Sequence, residues 1–318
     1  MAPISVSWAG MTRSIDLSTT IKNNYKFILI TTINCLLQRF QDFDIYKERK
    51  VEIGENIIYS DLIDYIEKIG YEKVDNVIEV GTFANRGGIV DLFSPNYNYP
   101  IRLDFFGDSI DSIRYFDFQN QKTIKSAKTI NIFPFSEIYF FEDNINNFRR
   151  SYIHNFKRKG KDYIYESVTS GLRLNGLEQY LPLFFEKLDT ITSAIPNSRI
   201  AISETATFEA DLAMKSIEEV YAYKSTLNEG DDFVKDMMKP LNPNELYVST
   251  GELNKILKNK ILVLSTSQNP NINNIESYVF FDASIDSIDD SDLVGNVGIE
   301  KKQKNIVSII SRHQKKFP

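Results

Sequence analysis

The run Pro100–Asp117 reads P-I-R-L-D-F-F-G-D-S-I-D-S-I-R-Y-F-D and constrains the fold more than any other stretch. Ile101, Leu103 and Phe105 alternate with Arg102, Asp104 and Phe106, the period-two pattern of a strand with one buried side. Gly107–Asp108 suits a tight hairpin turn, so Ser109–Phe116 is expected to return as the partner strand. Upstream, Gly81–Phe93 reads G-T-F-A-N-R-G-G-I-V-D-L-F. There Phe83 is expected to point inward and Ala84 and Arg86 outward, with Gly87–Gly88 the place for a bulge that would upset the alternation. Two arginines and an aromatic ring thus fall on the side of a small sheet that does not supply its core. Two readings stay open: a protein-binding face, or a second core in which Phe106 is buried and Arg102 pairs with Asp104.

Around this hairpin the pattern changes several times. Lys26–Thr32 reads as a strand leading into a helix at Cys35–Phe40, where Leu36 and Leu37 pack. Leu62, Tyr65, Ile66 and Ile69 recur at helical spacing after Ser60, a candidate N-cap, and Gly70 stands where a left-handed C-terminal cap belongs. Residues 77–135 carry several β-type runs between turn residues, as in a small antiparallel sheet. Ile145, Phe148, Tyr152 and Phe156 form a helical stripe, and Phe208, Leu212, Ile217 and Tyr221 a second one after the strand-like Ser198–Ser203. Asn228–Asn244 reads as a linker, followed by strand-like Ile261–Leu264 and Tyr278–Phe281.

Composition limits the chemistry. The chain has 318 residues, enough for about two domains. Its apolar runs are too short for a membrane span. One cysteine, Cys35, and two histidines, His154 and His313, exclude an internal disulfide and a histidine-rich zinc centre. This usage, with no secretion-signal pattern, suits a reducing cytoplasm. A net charge of −6 argues against DNA binding by global charge, leaving only local patches. No phosphate-binding loop is encoded, since Gly160–Lys161 is followed by Asp162 and has no glycine at the upstream position. No catalytic and no metal-binding residue is assigned. The acidic run Asp282, Asp286, Asp289, Asp290 and Asp292 lacks the glycine and spacing of a calcium loop and reads as solvated. Glu204 reads as a vestige of an acidic motif, not a working one, and His154 as a packing or surface histidine.

The two stretches around Arg86 and Arg102 resemble the domain shared by the nucleotide-excision-repair protein UvrB and the bacterial transcription-repair coupling factor Mfd. The patterns F-x-x-R-G-G-x-x-D-x-F and R-L-D-F-F-G-D-x-I-x-S-I-R-x-F-D carry the resemblance. Gly176–Phe184, G-L-E-Q-Y-L-P-L-F, resembles a signature of the coupling-factor branch. The resemblance implies a multidomain α/β and α+β fold. Residues 1–47 would be a partial RecA-like segment and 48–135 a UvrA-binding-like α+β domain with a small antiparallel sheet. Residues 136–195 would be a helical connecting segment, and 196–318 the remainder of a degenerate RecA-like domain.

It further implies that Arg86, Arg102 and Phe106 contact UvrA, with the guanidinium groups gripping partner carboxylates and the ring filling an apolar depression. The implied activity is recruitment of UvrA in transcription-coupled repair, constitutive here because the family's masking domain has no counterpart. The polymerase-binding domain and the ATP- and magnesium-using motor also have no counterpart, so the chain is expected to be no enzyme, to take no cofactor and to meet RNA polymerase only through other domains. Two alternatives remain. One is a nucleic-acid-binding fragment contacting damaged DNA through Arg149, Arg150, Lys157, Arg158, Lys159 and Lys161, with Tyr152 or Tyr163 stacking on bases. For that cluster a solvated helix end is the bland reading. The other is a non-functional relic of a split gene.

Overall fold

The computed structural model describes residues 29, 31–41, 48–157, 161–195, 200–203, 205–227, 239–257 and 261–264. Much of the strand expected at Lys26–Thr32, most of the Asn228–Asn244 linker, Arg158, Lys159, Glu204, Tyr278–Phe281, the acidic run and His313 lie outside the described residues. The fold is mixed α/β, with helices packed on sheets around separate hydrophobic cores.

Strand β1 (Phe40–Gln41) follows a short helix, Ile33–Leu37. Strand β2 (Arg49–Glu52) leads to the helix Tyr59–Lys68. Next come β3 (Glu72–Lys73), β4 (Thr82–Arg86), β5 (Ile89–Leu92), β6 (Ile101–Phe106), β7 (Ser109–Phe116) and β8 (Thr123–Ala127), which lie side by side in that order as a six-stranded sheet. All its pairs are antiparallel except β3 with β4, so the expected antiparallel sheet is in fact mixed. Strand β9 (Thr129–Ile132) pairs with β2 instead and closes the same core from another side.

That core joins Leu62 and Ile66 of the helix to Phe83, Val90, Leu92, Ile101, Leu103, Ile110 and Ile113 from one face of the sheet. Alternation along β6 is as expected: Ile101 and Leu103 are buried, and Phe105 packs edge-on against Tyr59 at 5.3 Å between ring centroids. The bulge falls elsewhere than expected. Arg86 and Ile89 pair directly across Gly87–Gly88, whereas the register shifts between Asp104 and Phe105, where Asp111 on β7 is the extra residue. Gly87, at φ +57°, makes a two-residue hairpin without disturbing parity.

The helix Tyr59–Lys68 also starts differently. Ser60 lies inside its first turn and does not cap it. The Tyr59 N–H instead donates to Asp108 Oδ1 at 3.4 Å, and the Ile57 N–H donates to the Asp108 carbonyl at 2.7 Å. The hairpin turn after Phe106 is therefore fastened to the helix start. The other end behaves as read: Gly70 adopts φ +105°, with Gly70 N–H donating to Glu67 O and Tyr71 N–H to Ile66 O, a Schellman cap.

A second core surrounds the helix Glu142–Phe156, whose Ile145, Phe148 and Tyr152 meet Ile164 and Val168 of the helix Tyr163–Thr169. The G-L-E-Q-Y-L-P-L-F segment folds as the 3₁₀ turn Leu177–Tyr180 running into the helix Leu181–Phe184. Leu177, Tyr180, Leu181, Leu183 and Phe184 are buried in this core. Strand β10 (Leu188–Asp189) pairs with β1.

In the third core β11 (Ile200–Ser203) runs parallel to β12 (Ile261–Leu264), with the helix Ala206–Leu227 between them in sequence, an α/β crossover. The stripe this helix buries is Ala206, Ala210 and Met214, with Ile217 packed beside it; Phe208, at 64% exposure, and Leu212 point outward. Small residues win the inner face because they let the helix approach Leu36, Leu37 and Ile202 closely.

Candidate functional site on the outer face of the sheet

The face of the six-stranded sheet turned away from the helix carries Arg86, Ile89, Asp91, Arg102, Asp104, Phe106 and Arg114. Antiparallel pairing brings Arg86 at the end of β4, Ile89 at the start of β5 and Phe106 at the end of β6 to one end of this face. Phe106 is 84% exposed. Arg102, four residues back along β6, lies ~13 Å from it at the usual strand rise.

This face is neither a second core nor wholly open. Ala84 does face outward, yet it is buried with Phe116 beneath Val77 and Phe93, because the segment 74–80 folds over that part of the sheet. The roof stops short of Phe106.

The arginines have partners that the sequence reading did not foresee. Arg102 stands opposite Asp91 on β5, not beside a free carboxylate of some other protein. Its Nε donates to Asp91 Oδ1 at 2.6 Å and its Nη2 to Asp91 Oδ2 at 2.7 Å, a bidentate pair; Nη2 also reaches Gln121 Oε1 at 3.1 Å. The guanidinium lies 4.5 Å from the Phe116 ring centroid. Its side chain is 23% exposed. The hydrogen bonds to Asp91 push the Arg102 pKa further up, outweighing burial.

Asp104 does not pair with Arg102. It accepts from Arg114 Nη2 at 2.5 Å and from the Ser112 hydroxyl across the strand pair. The like charges Arg102 and Arg114, directly opposite each other on β6 and β7, are each offset by a carboxylate on the neighbouring position. Arg86 is exposed, and its Nη2 donates to the backbone carbonyl of Asp75 and to Asn76 Oδ1 at 2.8 Å.

The basic cluster is differently placed. Arg149 Nη1 donates to Asn146 Oδ1 at 2.8 Å and pairs with Glu142 at 3.4 Å, and its Nη2 reaches the Thr169 carbonyl at 3.3 Å. Arg150 bonds Asn147 Oδ1 and lies 4.0 Å from Glu186. Lys157 ends the helix in the left-handed region at φ +46°, and Lys161 is exposed. Tyr152 is no stacking platform: it is fully buried, with its hydroxyl donating to Asp162 Oδ1 at 2.9 Å, and Asp162 also caps the next helix and pairs with Lys239. Position Tyr152 on the apolar stripe already placed it inward; only Tyr163 is half-exposed. No metal-holding cluster and no helix long and apolar enough to cross a membrane occurs among the described residues.

Residues 50–139, which hold the whole of this sheet and its helix, match the UvrB interaction domain. The chain thus contains a domain of the UvrB-interaction class. Across a longer span it is similar to transcription-repair coupling factors. It is 32% identical to that of Escherichia coli over 237 residues, 73% of this chain and 20% of the relative. It is 28% identical to that of Haemophilus influenzae over 243 residues, 75% of this chain and 20% of the relative. The Myxococcus xanthus factor is 33% identical over 147 residues. The chain corresponds to the N-terminal, UvrB-homologous part of such a factor, and it spans about one fifth of the length of the Escherichia coli and Haemophilus influenzae relatives.

Proposed function

We infer that this chain recruits UvrA in transcription-coupled nucleotide excision repair, with Arg86, Arg102 and Phe106 as its contact residues. The observation that carries the reading is Phe106: a phenylalanine 84% exposed at the end of a core strand, on the sheet face that also carries Arg86 and Arg102, inside a UvrB interaction domain. A ring held out by a fastened hairpin turn loses little freedom on docking, which suits an interface anchor. The binding domain of this reading is residues 48–135, with the helical segment 136–195 and the α/β segment 196–318 as its support. The chain's contribution is recruitment in the cytoplasm without ATP turnover of its own; damaged DNA and RNA polymerase are met through UvrA and through other parts of a coupling factor. Of the basic cluster, Arg149 and Arg150 are engaged by local acceptors and Arg158 and Lys159 lie outside the described residues, so no observation among the described residues favours the nucleic-acid reading over a solvated helix end.

A titration of purified UvrA tests this. Wild type binds, and Phe106→Ala loses ~2 kcal/mol, about thirtyfold in affinity, with an unchanged melting temperature. Absence of binding by folded wild type, or a Phe106→Ala variant that binds equally well, refutes the reading.

A further inference from the structure

Of the three arginines on the outer face, Arg86, Arg102 and Arg114, only Arg86 keeps an unbalanced charge among the described residues. Arg102 spends Nε and Nη2 on Asp91 and Gln121, while Asp104 and Arg114 close a second pair beside it. Asp91, Arg102, Asp104 and Arg114 together carry no net charge. Arg86 differs, because both of its acceptors, a backbone carbonyl and an amide oxygen, are neutral. Among the described residues it has no carboxylate partner. Next to it on the same face stand Ile89, directly across the hairpin, and Phe106 at the end of β6, both exposed.

Resting on the UvrA-recruitment reading, we propose a division of labour within that site. Asp91 is the positioning residue for Arg102. It holds the guanidinium over the Phe116 ring, so that Nη1, the one nitrogen with no partner among the described residues, offers its donors in a fixed direction. The rotamer entropy of Arg102 is already spent in the free protein, and that is what pre-organisation contributes to affinity. A partner carboxylate brought to Arg102 would meet the Asp91 carboxylate beside it, a like-charge juxtaposition that binding surfaces avoid. The acceptor presented to Arg102 is therefore neutral, a backbone carbonyl or an amide oxygen. The partner's single carboxylate at this site belongs to Arg86, and Ile89 joins Phe106 in an apolar depression. The surface that fits is thus apolar with one acidic group, not an acidic patch.

The test uses the full chain and purified UvrA. Asp91→Asn keeps the side-chain shape but loses the charge that grips Arg102, and it weakens binding about tenfold. Raising NaCl from ~50 to ~500 mM weakens wild-type binding by about tenfold or less, and Arg86→Gln removes that dependence whereas Arg102→Gln retains it. The lock is read independently by NMR: the Arg102 Nε–H gives a slowly exchanging resonance in the free wild type that is lost in Asp91→Asn. If Asp91→Asn binds as tightly as wild type or tighter, or if Arg102→Gln is the variant that loses salt dependence, the division of labour is wrong while the recruitment reading stands. A folded wild type that shows the locked resonance and does not bind UvrA overturns the recruitment reading and, with it, this partner chemistry.

Discussion

Arg102 and Arg173 each lay a guanidinium over a phenylalanine ring, 4.5 Å from the Phe116 centroid and 4.2 Å from that of Phe140. Their surroundings are opposite. Arg173 lies where the end of the helix Tyr59–Lys68 meets the segment entering the helical core. It donates to the Lys68 carbonyl at 2.7 Å, the Ile138 carbonyl at 2.9 Å and Ser136 Oγ at 3.1 Å. Its acceptors are neutral and it is half-buried, so desolvation lowers its pKa to about 10 against a smaller opposing effect of Glu178. Arg102 stands partly exposed on the outer sheet face, against a carboxylate that raises its pKa. An arginine used to join two units of the fold bears the cost of leaving water; one presented on a surface keeps its charge and gains its direction from a neighbour. Ring stacking alone does not tell the two apart.

The contrast between built-in and presented groups can be broken at several points. The largest effect is expected inside the helical core, where Phe184→Ala should cost ~3–5 kcal/mol in urea unfolding, since Phe184 is fully buried against Phe148 at 4.8 Å between centroids. At the junction, Arg173→Met keeps the stem and removes the donors, taking the guanidinium from the Ile138 carbonyl while the Lys68 carbonyl keeps the Phe140 N–H. A loss of about 2–3 kcal/mol is expected in the same assay. If Arg173 were merely a surface residue the loss would be negligible.

Phe106→Ala should change stability by less than ~0.5 kcal/mol, because no core atom is uncovered, even though its effect on UvrA binding is large. A destabilisation of the size seen at Phe184 would place that ring in the fold's own packing.

The smallest effect, of opposite sign, is expected beside the junction. Burial raises the Glu137 pKa, and the nearby Glu178 raises it further. A carboxyl whose folded value lies above its unfolded one binds its proton more readily in the native state. Its favourable contribution is complete below the unfolded value and is lost as pH rises through the folded one. Glu137→Gln should therefore stabilise slightly at neutral pH, by a few tenths of a kcal/mol, and flatten the fall in stability over that window in a pH series of melting temperatures.

Alternation in Ile101–Phe106 was enough to assign the inner and outer sides of β6, because a strand has only two faces and apolar residues claim the core. The helix Tyr59–Lys68 was legible for a similar reason, its apolar spacing and Gly70 being local signals. Its N-terminal partner was not, since Asp108 lies 49 residues further on and meets Tyr59 only once the hairpin folds back. The Asp91–Arg102 pair escaped for a comparable reason: it joins two strands whose register depends on the intervening loop. In the helix Ala206–Leu227 the large apolar residues such as Phe208 mark the wrong stripe, because close packing selects Ala206 and Ala210 for the inner face. Gly176–Phe184 and Pro100–Asp117 are equally distinctive as strings, yet one is spent mainly on packing and the other also on a surface.

By itself the amino-acid order determined the hairpin Ile101–Phe116, the side of it that faces the core, and the apolar face and C-terminal stop of the helix Tyr59–Lys68. These depend on side-chain period and turn chemistry acting over a few residues. Tertiary structure alone decided that the 74–80 segment roofs Ala84 but leaves Phe106 uncovered, and that Asp91 already holds Arg102. Both depend on strand register and on chain crossing over chain, and the free energy of such contacts exists only after distant residues have been brought together.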